Sequence, residues 1–216
     1  MLDKFIGDAF MAEFGIPLLH EDDEDRGVRA AVSIHRQLRA FNDRLAAEGR
    51  KPIRIGIGIN TATVVSGNIG SPKRMDYTVI GDGVNVASRL ERACKLYGAG
   101  ILVSEFTFEK LRGQYQTREI DRAVFFGKSE PVRIFEILDY HNLETFPNMM
   151  ASLSSFADGL QYYCDRNWDQ AINAFKSTMQ LNPMDFTSAM YIQRCEHLKK
   201  FPPPEDWNAV WTMETK

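Results

Sequence analysis

Four isoleucines set the first constraint. In the stretch IRIGIGIN, Ile53, Ile55, Ile57 and Ile59 alternate with Arg54, Gly56, Gly58 and Asn60. Successive strand residues point to opposite faces, so this pattern reads as a strand with one fully apolar face. The other face carries two glycines, which a strand tolerates poorly unless something bulky or flat comes close to it. Two helical patterns flank the strand. Val28, Ala31, Ile34 and Leu38 recur at helical spacing within residues 24–48. The acidic run HEDDEDR at the start of that segment reads as a solvated helix N-terminus, where carboxylates suit the dipole; metal binding by these acids is the lesser reading. The segment DGVNVASRLERACKLYG reads as a second helix. Asp82 is its N-cap, Val86, Leu90, Ala93 and Tyr97 form its apolar stripe, and Gly98 ends it.

Short strands and turns fill the space between these patterns. Residues 2–14 read as strand, Gly7-Asp8 turn, strand. TATVVSGNIG and MDYTVIG read as two strands joined through GNIGSPKR. That joint lacks the GxxxxGK[ST] spacing of a phosphate loop and reads as a hairpin connection. ILVSEF is a short buried strand, TFEKLRG a short helix, and REIDRAVFFGKSEPVRIFEIL two strands around a Gly-Lys turn. Alternating strands and helices indicate an α/β or α+β sandwich over residues 1–141. Residues 142–150 read as a linker, and residues 151–216 as a small all-α tail. In that tail Gly159, Tyr162, Ala171, Phe175 and Pro183 fit the spacing of a tetratricopeptide repeat. All three tryptophans, Trp168, Trp207 and Trp211, lie in it.

Composition narrows the function classes. A 216-residue chain with 44% hydrophobic and 25% charged residues is ordinary globular material with room for one or two domains. A net charge of −3 gives no basic nucleic-acid surface. No apolar run approaches the roughly 20 residues of a membrane span, and the charged start MLDKFIGDAF is unlike a signal peptide. Cys94, Cys164 and Cys195 are few, odd in number and far apart, so the default setting is reducing and cytoplasmic.

Three segments taken together carry a resemblance: DKFIGDAFMAEFG, INTATVVSGNIGSPKRMDYTVIGDGVNVASRLE and FGKSEPVRIFEI. In order and spacing they closely resemble the catalytic domain of class III nucleotide cyclases, over roughly residues 1–138. The resemblance implies a ferredoxin-like α/β sandwich that dimerises head to tail and builds its active sites across the interface. It also implies closure of a nucleoside triphosphate into its 3′,5′-cyclic monophosphate, with release of pyrophosphate.

The family's functional residues map onto this chain one by one. Asp8 matches the second of two metal aspartates; the resemblance implies two ions per site, Mg²⁺ or Mn²⁺. Lys4 and Thr78 match the pair that reads the base. An ammonium only donates, so Lys4 suits adenine N1, while a hydroxyl can accept from the N6 amine. Guanine presents N1–H and O6 instead, which points to ATP as the substrate, with GTP the minor alternative. Asn85 and Arg89, four residues apart on a helix face, match the pair that orients the ribose and holds the α-phosphate. Lys128 resembles a loop lysine that reaches the terminal phosphates. The shared-site scheme assigns Lys4 and Asp8 to one subunit of a homodimer and Thr78, Asn85 and Arg89 to its mate. His20, His35, His141 and His197 read as surface or loop residues.

The chain also departs from the family pattern. The first metal aspartate, on a strand of the form F-x-D-[IV]-x-G-F, has no counterpart here. Met1 is therefore expected to be an internal methionine of a longer cyclase, whose N-terminal region is of a kind that can tether it to a membrane. Such a fragment is expected to turn ATP over poorly or not at all and to expose apolar surface. Ala62-Thr63 stands where a glycine is common and is expected to affect only local backbone. The alternative function is a catalytically impaired cyclase fold that works by dimerisation or by binding a protein partner through the tail.

Overall fold

The computed structural model describes residues 1–125 and 130–213. A five-stranded sheet forms its centre, in the order β3 (Ile57–Ile59), β6 (Ile101–Ser104), β8 (Val132–Ile137), β7 (Thr117–Val124), β9 (Trp211–Thr212). β3 runs parallel to β6; β8 is antiparallel to both β6 and β7. Two hairpins stand outside this sheet, β1 (Leu2–Ile6) with β2 (Ala9–Ala12), and β4 (Val65–Ser71) with β5 (Arg74–Ile80).

Both faces of the sheet are covered, which explains why β6 is buried at every position. Helix α1 (Asp23–Ala47) lays Val28, Ala31 and Val32 against Ile101, Val103 and Phe135. Helix α2 (Asp82–Tyr97) lays Val86, Leu90, Ala93 and Tyr97 against Leu102, Ile120 and Ile134 on the other face. The alternation of Ile101, Leu102 and Val103 between the two clusters is the strand period at work. The α/β architecture and the α2 stripe thus match the sequence reading. Gly98 ends α2 in the left-handed region at φ +67, whereas the N-cap is Gly81 and Asp82 is the first helical residue.

The isoleucine strand is shorter than its alternation suggests. Only Ile57–Ile59 pairs in the sheet, and Ile53 is exposed. The glycine face does receive a close neighbour, the backbone of α2. A Cβ on Gly58 would stand 2.3 Å from the Ala87 carbonyl oxygen and 2.3 Å from the Glu91 amide nitrogen. The β4–β5 turn falls at Pro72-Lys73, so GNIG lies inside β4 rather than in the turn.

The first turn of α1 is not a simple solvated end. Asp25 is buried and accepts from the Arg112 and Gly113 amides and the Tyr115 hydroxyl, at 3.0, 2.8 and 2.8 Å. The short helix α3 (Glu105–Phe108) packs on the same side of the sheet, where Phe108 stacks on Phe135.

The C-terminal part contains α4 (Met149–Cys164), α5 (Trp168–Leu181) and α6 (Phe186–Lys200). Gly159 lets α4 approach α5; a Cβ there would stand 2.7 Å from the Phe175 ring. Helix α6 docks on the sheet: Tyr191 donates to the Ile120 carbonyl at 2.8 Å, and Arg194 pairs with Asp121 at 2.6 Å. The tail also adds more than helices, because β9 pairs in parallel with β7. A two-residue strand has too little sequence to show a period; the edge of β7 makes it a strand.

Candidate active site

The Gly7-Asp8 turn closes the β1–β2 hairpin with Ile6 opposite Ala9. Gly7 takes φ +64, the positive φ that a tight hairpin turn asks of its first residue. Asp8 follows it, fully exposed at the hairpin tip.

On β1 the register slips between Leu2 and Lys4, which pair with Ala12 and Met11. Asp3 is the extra residue. A bulge of this kind breaks the strict alternation and re-aims side chains. Asp3 and Lys4, though adjacent, therefore face each other, with Lys4 Nζ 3.6 Å from Asp3 Oδ1. The Asp3 side chain is 1% exposed. Its other oxygen accepts from the Thr78 hydroxyl of β5 at 2.5 Å. Glu13 is buried beside them, and burial, then the Asp3 charge, raises its pKa above the usual carboxylate range.

The shared-site scheme assigns Lys4 and Thr78 to different subunits; within a single chain the two already meet on the Asp3 carboxylate.

Asn85 and Arg89 lie on the first two turns of α2, on the chain leading directly from Thr78. Asn85 is exposed and Arg89 half-buried. Arg89 Nη1 is buried with no hydrogen-bond partner among the described residues. A buried guanidinium nitrogen in that state is an unpaired donor, suited to an oxyanion. The start of α2 is fixed by Asn60, which the sequence reading passed over. Its amide donates to the Gly83 carbonyl at 3.0 Å and accepts from the Ser104 hydroxyl at 2.6 Å. The signal in the sequence was a polar residue ending an otherwise apolar alternation. Ala62 also touches this point: a Cβ on Gly83 would stand 2.2 Å from the Ala62 Cβ.

Lys128 lies outside the described residues. Among those described, no group of three or more His, Cys, Asp or Glu side chains is placed to hold a metal ion. Asp8 thus offers one carboxylate and does not make a cation site by itself.

One histidine, His35, departs from the surface-or-loop reading, and another, His141, lies in the loop after β8 but is partly buried. His35, on α1, contacts the Gly100 carbonyl at 2.9 Å and packs 4.6 Å from the Tyr140 ring. His141 packs on Tyr140 and Phe146, and burial, with Arg39 and Arg118 nearby, lowers its pKa to about 4.

Comparison with known proteins finds nucleotide cyclases. A 199-residue alignment to a terminal-differentiation-specific adenylate cyclase of Dictyostelium discoideum is 33% identical and covers 90% of this chain. An adenylate cyclase of Anabaena cylindrica is 40% identical over 143 residues, 63% of the chain. The chain spans only 9% and 28% of those two relatives. Among solved structures, the adenylyl cyclase CyaB of P. aeruginosa matches with a TM-score of 0.58 and 36% identity, over 63% of this chain and 70% of that one. The guanylyl cyclase Cya2 matches with a TM-score of 0.56 and 35% identity, over 63% and 68%. The family model described as the adenylate and guanylate cyclase catalytic domain matches residues 4–139, and the chain belongs to that family.

Proposed function

We propose that this chain is the catalytic part of an adenylyl cyclase, converting ATP to 3′,5′-cyclic AMP and pyrophosphate for intracellular signalling. The observation that carries the choice of base is the meeting of Lys4 and Thr78 on Asp3. Identities of 36% and 35% to an adenylyl and a guanylyl cyclase do not separate the two bases; the chemistry of this pair does. Lys4 donates to adenine N1, and Thr78 accepts from the N6 amine. A guanine would set its N1–H against the Lys4 ammonium and leave buried polar groups unpaired.

Asn85 orients the ribose so that its 3′-oxygen faces the α-phosphorus. Arg89 holds the α-phosphate oxygens as charge builds on them, through the guanidinium nitrogen that has no partner among the described residues. Lys128 is assigned to the terminal phosphates. Asp8 is the carboxylate assigned to the divalent cations, two Mg²⁺ or Mn²⁺ per site, which lower the pKa of the attacking hydroxyl when bound.

A homodimer belongs to this reading. Phe5, Ile6 and Phe10 on one hairpin and Val65, Met75 and Ile80 on the other are exposed, which supports burial against a second copy. A cytoplasmic setting belongs to it as well, supported by three free cysteines. Among the described residues no helix is long and apolar enough to cross a membrane.

The exposed apolar residues of the two hairpins fit a second reading as well, a catalytically impaired fold that works through dimerisation or through a protein bound by the tail. Nucleotide titration decides between them. ATP is expected to bind at least about tenfold tighter than GTP, and Arg89→Ala to lower any cyclic AMP formation by about a hundredfold or more. Equal or tighter GTP binding overturns the adenylyl assignment. Failure to bind either nucleotide favours the impaired fold.

A further inference from the structure

The geometry points to Asp3 as the residue that sets base specificity, by pinning the Thr78 hydroxyl proton so that Thr78 can only accept from the substrate. This rests on the adenylyl cyclase reading of Lys4 and Thr78 and adds a residue to it. A threonine hydroxyl is both donor and acceptor, and its rotor turns to suit its neighbours. Left free, Thr78 would serve the N6 amine of adenine or the O6 of guanine equally well. It is not free. Its Oγ1 donates to Asp3 Oδ2 at 2.5 Å, and that carboxylate is 1% exposed, so water does not compete for the proton. With the proton committed, only oxygen lone pairs face outward, and they match a donor such as an exocyclic amine.

The same carboxylate faces Lys4 with its second oxygen, at 3.6 Å. One buried group thus aligns a fixed donor and a fixed acceptor. The β1 bulge makes this possible, because in a regular strand Asp3 and Lys4 would point to opposite faces. Asp3 does not touch the substrate in this scheme; it is a positioning residue.

Asp3→Asn tests the idea at nearly constant shape. The amide has one oxygen, and the Lys4 cation takes it, because a donor-only ammonium cannot face an NH₂ group. The amide nitrogen then donates to Thr78, whose own proton is released towards the base. In calorimetric titrations with ATP, GTP and inorganic tripolyphosphate, Asp3→Asn is expected to lower the ATP-over-GTP preference about tenfold, the size of one misdirected hydrogen bond. Tripolyphosphate, which has no base, should bind as to the unaltered chain. In a Thr78→Val background, Asp3→Asn should change the preference less than about twofold, since its route is gone. An unchanged preference in Asp3→Asn, or an equal loss of ATP and tripolyphosphate binding, overturns the proposal.

The unaltered chain supplies a test that does not depend on a variant folding. The triphosphate of 6-methoxypurine riboside keeps adenine's N1 acceptor but offers only an acceptor at position 6. A pinned Thr78 should bind it more weakly than the triphosphate of unsubstituted purine riboside; tighter binding overturns the proposal. If the unaltered chain shows no preference for ATP over GTP, and neither Thr78→Val nor Lys4→Ala changes the ratio, the base-site assignment itself has failed.

Discussion

Arg118 shows how much a single side chain can hold. It lies on β7 with its side chain 8% exposed. It donates to Glu136 of β8 at 2.8 Å and to Asp185, just before α6, at 2.7 Å. Its guanidinium also sits 4.6 Å from the Phe156 ring of α4. Burial pushes the Glu136 carboxyl up against the pull of Arg118, so the cluster depends on its cation. Arg118→Ala leaves two buried carboxylates without a counter-charge and is expected to cost about 3–5 kcal/mol. A fall of that size in the urea unfolding free energy checks it, and a loss below about 1 kcal/mol would show the carboxylates finding other partners. At this scale the sequence was legible where a residue type announces its chemistry: Lys4, Thr78, Asn85 and Arg89 could be singled out from their motifs. Asp3, Asn60 and Arg118 could not. Their roles lie in their partners, and the partner of Asp3 is 75 residues away.

Elements were legible where the pattern is intrinsic and blurred where a neighbour decides. The α2 stripe needs only a 3.6-residue period, so helix and buried face followed from the sequence. The isoleucine alternation could not say where β3 begins, because a strand exists only where another strand pairs with it. The glycines of that alternation give the sharper test. At Gly58 an added Cβ meets backbone of α2 at 2.3 Å, and backbone cannot turn aside. At Gly67 on β4 it meets nothing within 4 Å. Gly58→Ala is therefore expected to destabilise by about 3 kcal/mol or more, and Gly67→Ala to stay within about 1 kcal/mol of the original. Because α2 carries Asn85 and Arg89, Gly58→Ala should also weaken tripolyphosphate binding, while Gly67→Ala should not. Thermal melting and the same titrations read both outcomes. If the two glycines prove equally tolerant, α2 does not rest on β3.

The two parts of the whole molecule meet through polar groups as well as apolar ones. Asp121 is 2% exposed and takes hydrogen bonds from Tyr97 of α2 and Arg194 of α6, so sheet, helix and tail share one buried charge. The reading of residues 151–216 as a separate tail that holds all three tryptophans could not reveal that this tail returns to the sheet. A second junction lies just after β8, where the rings of His35, Tyr140, His141 and Phe146 contact one another in succession between α1 and the segment leading to α4. Its histidines make the assembly sensitive to acid. His141 has its pKa lowered to about 4, chiefly by burial and then by Arg39, Arg118 and His35; burial, against the hydrogen bond to Gly100, lowers that of His35 too. In the unfolded chain both titrate near 6.5. Below that pH the unfolded state binds protons that the folded state refuses, so stability is full above about pH 6.5 and declines as the pH falls towards 4. The expected loss assigned to His141 is on the order of 2 kcal/mol, allowing for its partial exposure. Urea unfolding at pH 7 and pH 4.5 should show that loss, and His141→Gln should shrink the difference between the two pH values. An equal pH dependence in the variant would place the acid sensitivity outside His141.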